Sequence, residues 1–175
     1  MPSRDHVAVL LHALDQRYNP VPEHVVRLAL ADIAAAGFDP AGRVELPASF
    51  AGDSWRGRTL VAGELTPLAE ASYFEHVVFG GEWPEGTTLA GYLRSLRDAL
   101  LDQEGGAFIA RYRGADRIGA AGRSGPNRGP GGGDWIIVAY DPELRHWTAG
   151  WQPGDGLAAI AGGDWSDVSW LRIPR

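Results

Sequence analysis

The sequence predicts an α+β fold, an antiparallel four-stranded sheet packed on a helix and preceded by an N-terminal helical hairpin. Three features predict it. Apolar residues recur at helical spacing before residue 37 and again from 88 to 102. Beyond Gly105-Gly106 the period falls to two, and turn or loop signals separate runs of strand length. With 175 residues, 45% of them hydrophobic and seven tryptophans, the chain can bury a core of its own.

Pro2-Ser3 marks a helix start, and Val7, Leu10, Leu11 and Leu14 follow on one face until Asn19-Pro20 stops the helix. A second helix opens near Pro22, carries Val26, Leu30 and Ile33 on one stripe and ends at Gly37. These two form a hairpin subdomain, residues 1–37. A connector, 38–72, is rich in Pro, Gly and Asp, with short strands expected at Arg43 to Leu46 and Thr59 to Ala62 and a short helix opening at Thr66-Pro67. The α+β domain then spans 73–175. Tyr73 to Phe79 reads as extended. Thr87 or Thr88 caps a helix whose apolar face is Leu89, Tyr92, Leu93, Leu96 and Leu100.

In the first sheet strand Phe108, Ala110 and Tyr112 alternate with Ile109, Arg111 and Arg113. A turn at Gly114-Ala115-Asp116 leads to a second strand, Arg117 to Arg123, and a Gly/Pro-rich loop, 124–133, follows. Trp135 to Tyr140 is apolar on both faces, as a central strand is. Asp141-Pro142-Glu143 turns the chain into a last strand, His146 to Gln152. The tail shows no element until Ser169 to Ile173.

Composition excludes several chemistries. There is no cysteine, so disulfides, thiolate metal sites and cysteine nucleophiles are ruled out. All 16 basic residues are arginine, which removes P-loop, kinase and Schiff-base lysines. Ser124 lacks the G-x-S-x-G frame of a serine hydrolase. No His/Asp/Glu group has metal-ligand spacing, and neither cofactor nor metal is expected. His6, His12 and His24 fall on helix surfaces. The N-terminus lacks a signal-peptide layout and no apolar run has membrane-spanning length, so a cytoplasmic protein is expected.

Net charge is −6, unevenly spread: residues 107–145 hold six arginines against four acids, and residues 1–106 hold eight against fifteen. Strand parity places Trp147, Ala149 and Trp151 on the helix with Phe108, Tyr112 and Ile118. It leaves His146, Thr148 and the arginines 111, 113, 117 and 123 for the open side of the sheet. A locally basic sheet in an acidic protein suits a small anionic site.

The order of one helix and four strands, with "GDWIIVAY" followed by "RHWTAGW", resembles the barnase–EndoU–colicin–RelE superfamily of ribonucleases over about residues 74–152. The resemblance implies metal-independent cleavage of RNA by attack of its own 2′-hydroxyl, in a toxin or effector setting. It makes His146 the general acid and Arg123 and Arg128 phosphate clamps. Ala107 to Arg113 carries no carboxylate where barnase-like members hold their base. His76, ahead of the helix, takes that role as in other relatives, with Glu75 second. Arg111 and Thr148 complete the expected catalytic set; Arg113, Arg117, Arg128 and Trp151 are expected to contact substrate, with Trp151 or Tyr140 stacking a base. The partners expected are RNA and a protein inhibitor. The competing reading is a non-enzymatic, immunity-like protein whose acidic surface meets a basic protein.

Overall fold

In the computed structural model, residues 5–15, 21–50, 52, 54–55, 58–123, 135–152, 160 and 164–174 are described. The two N-terminal helices form as the spacing predicts. α1 (His6–Asp15) buries Val7 and Leu10, and α2 (Glu23–Ala36) buries Val26, Leu30 and Ile33. Two small antiparallel pairs fill the connector. One joins β1 (Arg43–Glu45) to β4 (Leu65–Pro67), the other β2 (Ser54–Trp55) to β3 (Arg58–Thr59). The strand expected over Thr59 to Ala62 therefore ends at Thr59 and pairs with Ser54–Trp55, while the strand expected from Arg43 pairs with Leu65–Pro67.

The largest local departure is at Tyr73 to Phe79, which is helical. After α3 (Leu68–Tyr73) the chain passes through one π turn at Phe74–Val78, closed by Phe79 N–H donating to Phe74 O at 2.9 Å. The aromatic and β-branched run reads as a strand locally, but Tyr73, Phe74 and Val77 are buried, and their one- and four-residue spacing is that of a helix face. α4 (Leu89–Leu100) begins where expected, with the Thr88 hydroxyl accepting from Gly91 N–H at 3.0 Å.

The main sheet has five strands, not four, all antiparallel, in the order β8-β7-β6-β5-β9. Its members are β5 (Gly106–Tyr112), β6 (Ala115–Gly122), β7 (Ile136–Asp141), β8 (His146–Trp151) and β9 (Trp165–Arg172). The element expected at Ser169 to Ile173 is the second half of β9; its start at Trp165 escaped the alternation because the ladder with β5 is irregular in two places and Asp167 takes a φ of 52°. The β5–β6 turn is tighter than expected, with Arg113 (φ 50°) and Gly114 (φ 82°) as its only central residues between the paired Tyr112 and Ala115.

Helices cover one face of the sheet. α4 crosses β6 and β7, and a Cβ at Gly122 would overlap the Ala99 backbone, so glycine sets that approach. α2 holds β8 through the Trp147 indole, which donates to Ile33 O at 2.7 Å. One buried cluster runs from Val7 and Leu10 through the helices to Ile118, Val138 and Trp147.

The other face is not bare. Phe108, Ala110, Ala121, Ile137 and Ala139 meet Ile160 and Trp165 there, with Tyr112, Trp151 and Trp170 packed around them. β8 and β9 are four strand spacings apart, about 19 Å in a flat sheet. Yet the rings of Trp151 and Trp165 lie 5.8 Å apart. The sheet therefore curls strongly, and its concave side closes over an aromatic core.

Trp147 and Trp151 consequently face opposite sides, against the simple alternation. Ala139 pairs with Ala149 and the next residue, Tyr140, with Trp147, so Thr148 is the extra residue of a β-bulge. One inserted residue reverses the parity of everything before it.

Candidate functional site

The expected catalytic surface does not assemble. Cross-strand partners share a face, and Arg117 lies opposite Ala110 of the concave core while Arg111 lies opposite Asp116. Arg111 and Arg117 thus point to opposite sides of the sheet. Arg113 is in the turn, and Arg123 directly follows β6, six residues or about 20 Å along the chain direction from Arg117. Arg128 lies outside the described residues.

Each of these four guanidinium groups is engaged locally. Arg111 Nε lies 3.5 Å from Asp116, and Arg113 makes two bonds to Asp164 Oδ2 at 3.0 and 3.1 Å. Arg117 lies 3.4 Å from the buried Asp141 carboxylate. Arg123 stacks its guanidinium on Trp135 at 4.2 Å. The bond to Asp164 raises Arg113 above its ordinary value, and all four guanidinium groups serve as halves of pairs or stacks.

The two histidines expected to act together stand at opposite ends of β8. His146 opens that strand, whereas His76 stacks on Trp151, which closes it (ring centroids 6.4 Å, interplanar angle 25°). Five residues of strand separate those ends by about 16 Å. An acid and a base serving one phosphate must each reach it within hydrogen-bond distance. His146 and His76 are therefore not a pair, which corrects the acid–base assignment. Thr148 is the bulge residue, its hydroxyl donating to Ala139 O at 3.4 Å. Tyr140 is buried against the helices beside Trp147 and offers no stacking face.

What the structure does bring together lies at the rim of the concave face. The π turn aims His76 back toward the loop that follows it, where Glu82 Oε2 meets His76 Nδ1 at 2.5 Å. The other oxygen of Glu82 accepts from Gln152 N–H at 2.8 Å, fixing the carboxylate against the end of β8. Glu75, exposed, lies 3.9 Å from His76 Nε2. Trp151 continues into Trp165 and Tyr112, whose rings lie 4.8 Å apart. Arg113 sits over Tyr112 at 5.2 Å. Burial pushes the Tyr112 phenol above its ordinary value, against the opposing pull of Arg113.

Three expected residues, His76, Arg113 and Trp151, thus share one locality. Glu82, Asp164, Tyr112 and Trp165 were missed. Glu82 follows His76 by six residues, a spacing with no regular-element meaning, and only the turn between them makes it a partner. Among the described residues, carboxylates outnumber guanidiniums here: Glu75, Glu82 and Asp164 against Arg113.

Among the described residues no three His, Asp or Glu side chains converge as metal ligands, and no helix is long and apolar enough to cross a membrane. Comparison of the chain with protein-family models, curated proteins and solved structures found no match.

Proposed function

We propose that this protein acts by binding, as an acidic module that recognises a basic partner through the His76–Trp151 rim. The observation that carries the reading is electrostatic. Arg111, Arg113 and Arg117 are each held against a carboxylate and Arg123 against an indole, while acids stay in excess. Among the described residues of the sheet, a phosphate chain meets few uncommitted cations. A guanidinium or ammonium meets Glu75 and Glu82 beside the half-buried Trp151, whose ring face attracts cations. Opposite charge of this kind steers association and sets specificity.

A second reading stays in play on one specific observation, the His76–Glu82 pair. A carboxylate on Nδ1 holds an imidazole in the tautomer that leaves Nε2 free to take a proton. In an RNA-cleaving site His76 Nε2 would remove the 2′-hydroxyl proton. The 2′-oxygen would then attack phosphorus, and Tyr112 would protonate the departing 5′-oxygen, leaving a 2′,3′-cyclic phosphate.

One experiment separates the two. The full chain is titrated with a fluorescent octa-arginine peptide at rising salt, and incubated with labelled RNA in EDTA. Under the binding reading the peptide binds saturably and more weakly at high salt, and Glu75→Gln with Glu82→Gln weakens it at least tenfold. No RNA is cut. Cleavage lost in His76→Ala and kept in the surface variant His24→Ala would overturn the binding reading in favour of the nuclease.

A further inference from the structure

At the other end of β8 a cavity of about 270 Å³ opens between the strand and the start of α3, lined by Asp39, Leu68, Asp141, Leu144, His146, Trp147 and Thr148. Its volume sits just under the roughly 300–1,000 Å³ of small-ligand sites. We infer that this cavity binds a small organic cation, a primary ammonium carried on a compact apolar body.

The polar groups around it are mainly acceptors. Asp39 spends Oδ1 on Ala41 N–H at 2.9 Å, which leaves Oδ2 for a ligand. His146 Nδ1 is buried and has no hydrogen-bond partner among the described residues. With the ring proton on Nε2, Nδ1 is an acceptor, and a buried acceptor without a donor is costly. Asp141 stands behind them, its Oδ1 taken by Glu143 N–H at 2.8 Å and Leu144 N–H at 3.1 Å and its Oδ2 facing Arg117. A ligand that brings several N–H donors and one positive charge satisfies Asp39 and His146 together, whereas a carboxylate or phosphate satisfies neither. Leu68, Leu144 and the Trp147 ring supply the apolar contact.

The site is separate from the rim that carries the proposed function, so each can fail alone. The full chain is titrated with benzylammonium, and with benzyl alcohol as its neutral analogue, by calorimetry and by ¹H–¹⁵N chemical-shift mapping. The expected result is saturable binding of benzylammonium, at least tenfold weaker binding of benzyl alcohol, and shifts centred on residues 39, 68 and 141–148. Asp39→Asn keeps the bond to Ala41 and loses the charge, and it is expected to weaken binding at least tenfold with an unchanged melting midpoint. His146→Ala, checked for the same midpoint, is expected to weaken it several-fold. The inference falls if benzylammonium does not saturate, if benzyl alcohol binds equally, if shifts centre on the His76 rim, or if Asp39→Asn binds as well as the parent.

Discussion

Arg113 occupies a turn position at which side chains other than Asn, Asp and Gly are disfavoured, with φ at 50°. Its bonds to Asp164 are solvent-facing, and such pairs add little stability. Arg113→Asn is therefore expected to raise the melting midpoint by roughly 1–3 °C. The same change removes the one guanidinium that the described residues place among the rim carboxylates, so octa-arginine is expected to bind a few-fold more tightly. If the rim instead handled RNA, the variant would lose affinity for it, and the two directions separate the readings. Trp147 poses the opposite case, being almost fully buried with its indole N–H bonded to Ile33 O. Trp147→Phe keeps a ring but strands that carbonyl, and denaturant melts are expected to show a loss of about 1–3 kcal/mol.

Elements whose register depends only on local period were legible: α2, the Thr88-capped α4, and strands β5 to β8 within a few residues. Their apolar spacing survives tertiary context because one face of each meets the core. Three features were not legible, each for a non-local reason. The π turn at Phe74–Val78 carries strand-forming residues and is decided by the burial of Tyr73, Phe74 and Val77. The start of β9, ahead of Ser169, is defined by its pairing with β5, not by its own alternation. The bulge at Thr148 has no sequence mark, yet it decides that Trp147 meets the helices while Trp151 meets the concave side. Of the candidate site, His76, Trp151 and Arg113 were legible as residue types; their shared position was not, because it follows from the curl of the sheet. Deleting Thr148 tests the bulge directly. The ladder becomes regular with Trp147 still opposite Tyr140 on the helix side and Trp151 still opposite Ile137 on the concave side. The near-UV tryptophan signal in circular dichroism is therefore expected to stay close to the parent's, and its loss would mean that Thr148 is not the residue that sets the parity.

Across the whole molecule, the N-terminal hairpin and the sheet share one buried cluster, so a single cooperative unfolding transition is expected. The outer tie between these parts is Arg145, in the β7–β8 turn, which bonds Asp5 just ahead of α1 at 2.5 Å. That hydrogen bond, aided by Ala8 N–H, lowers Asp5 below its ordinary carboxylate value of 3.8. A carboxyl group whose folded value is depressed binds its proton more readily when unfolded, so the tie stabilises fully above about pH 5. It is lost as pH falls through the lowered value, where the folded protein must take up the proton too. Both groups face solvent, which limits the effect to under about 1 kcal/mol. The parent is thus expected to melt slightly higher than Asp5→Asn at pH 7, with the gap closing as pH falls below about 4, through the lowered value. High salt at pH 7 is expected to narrow the same gap by screening. A gap that persists at pH 2 would mean that Asp5 holds the hairpin through its bond to Ala8 alone, which asparagine can replace only in part, and not through its charge.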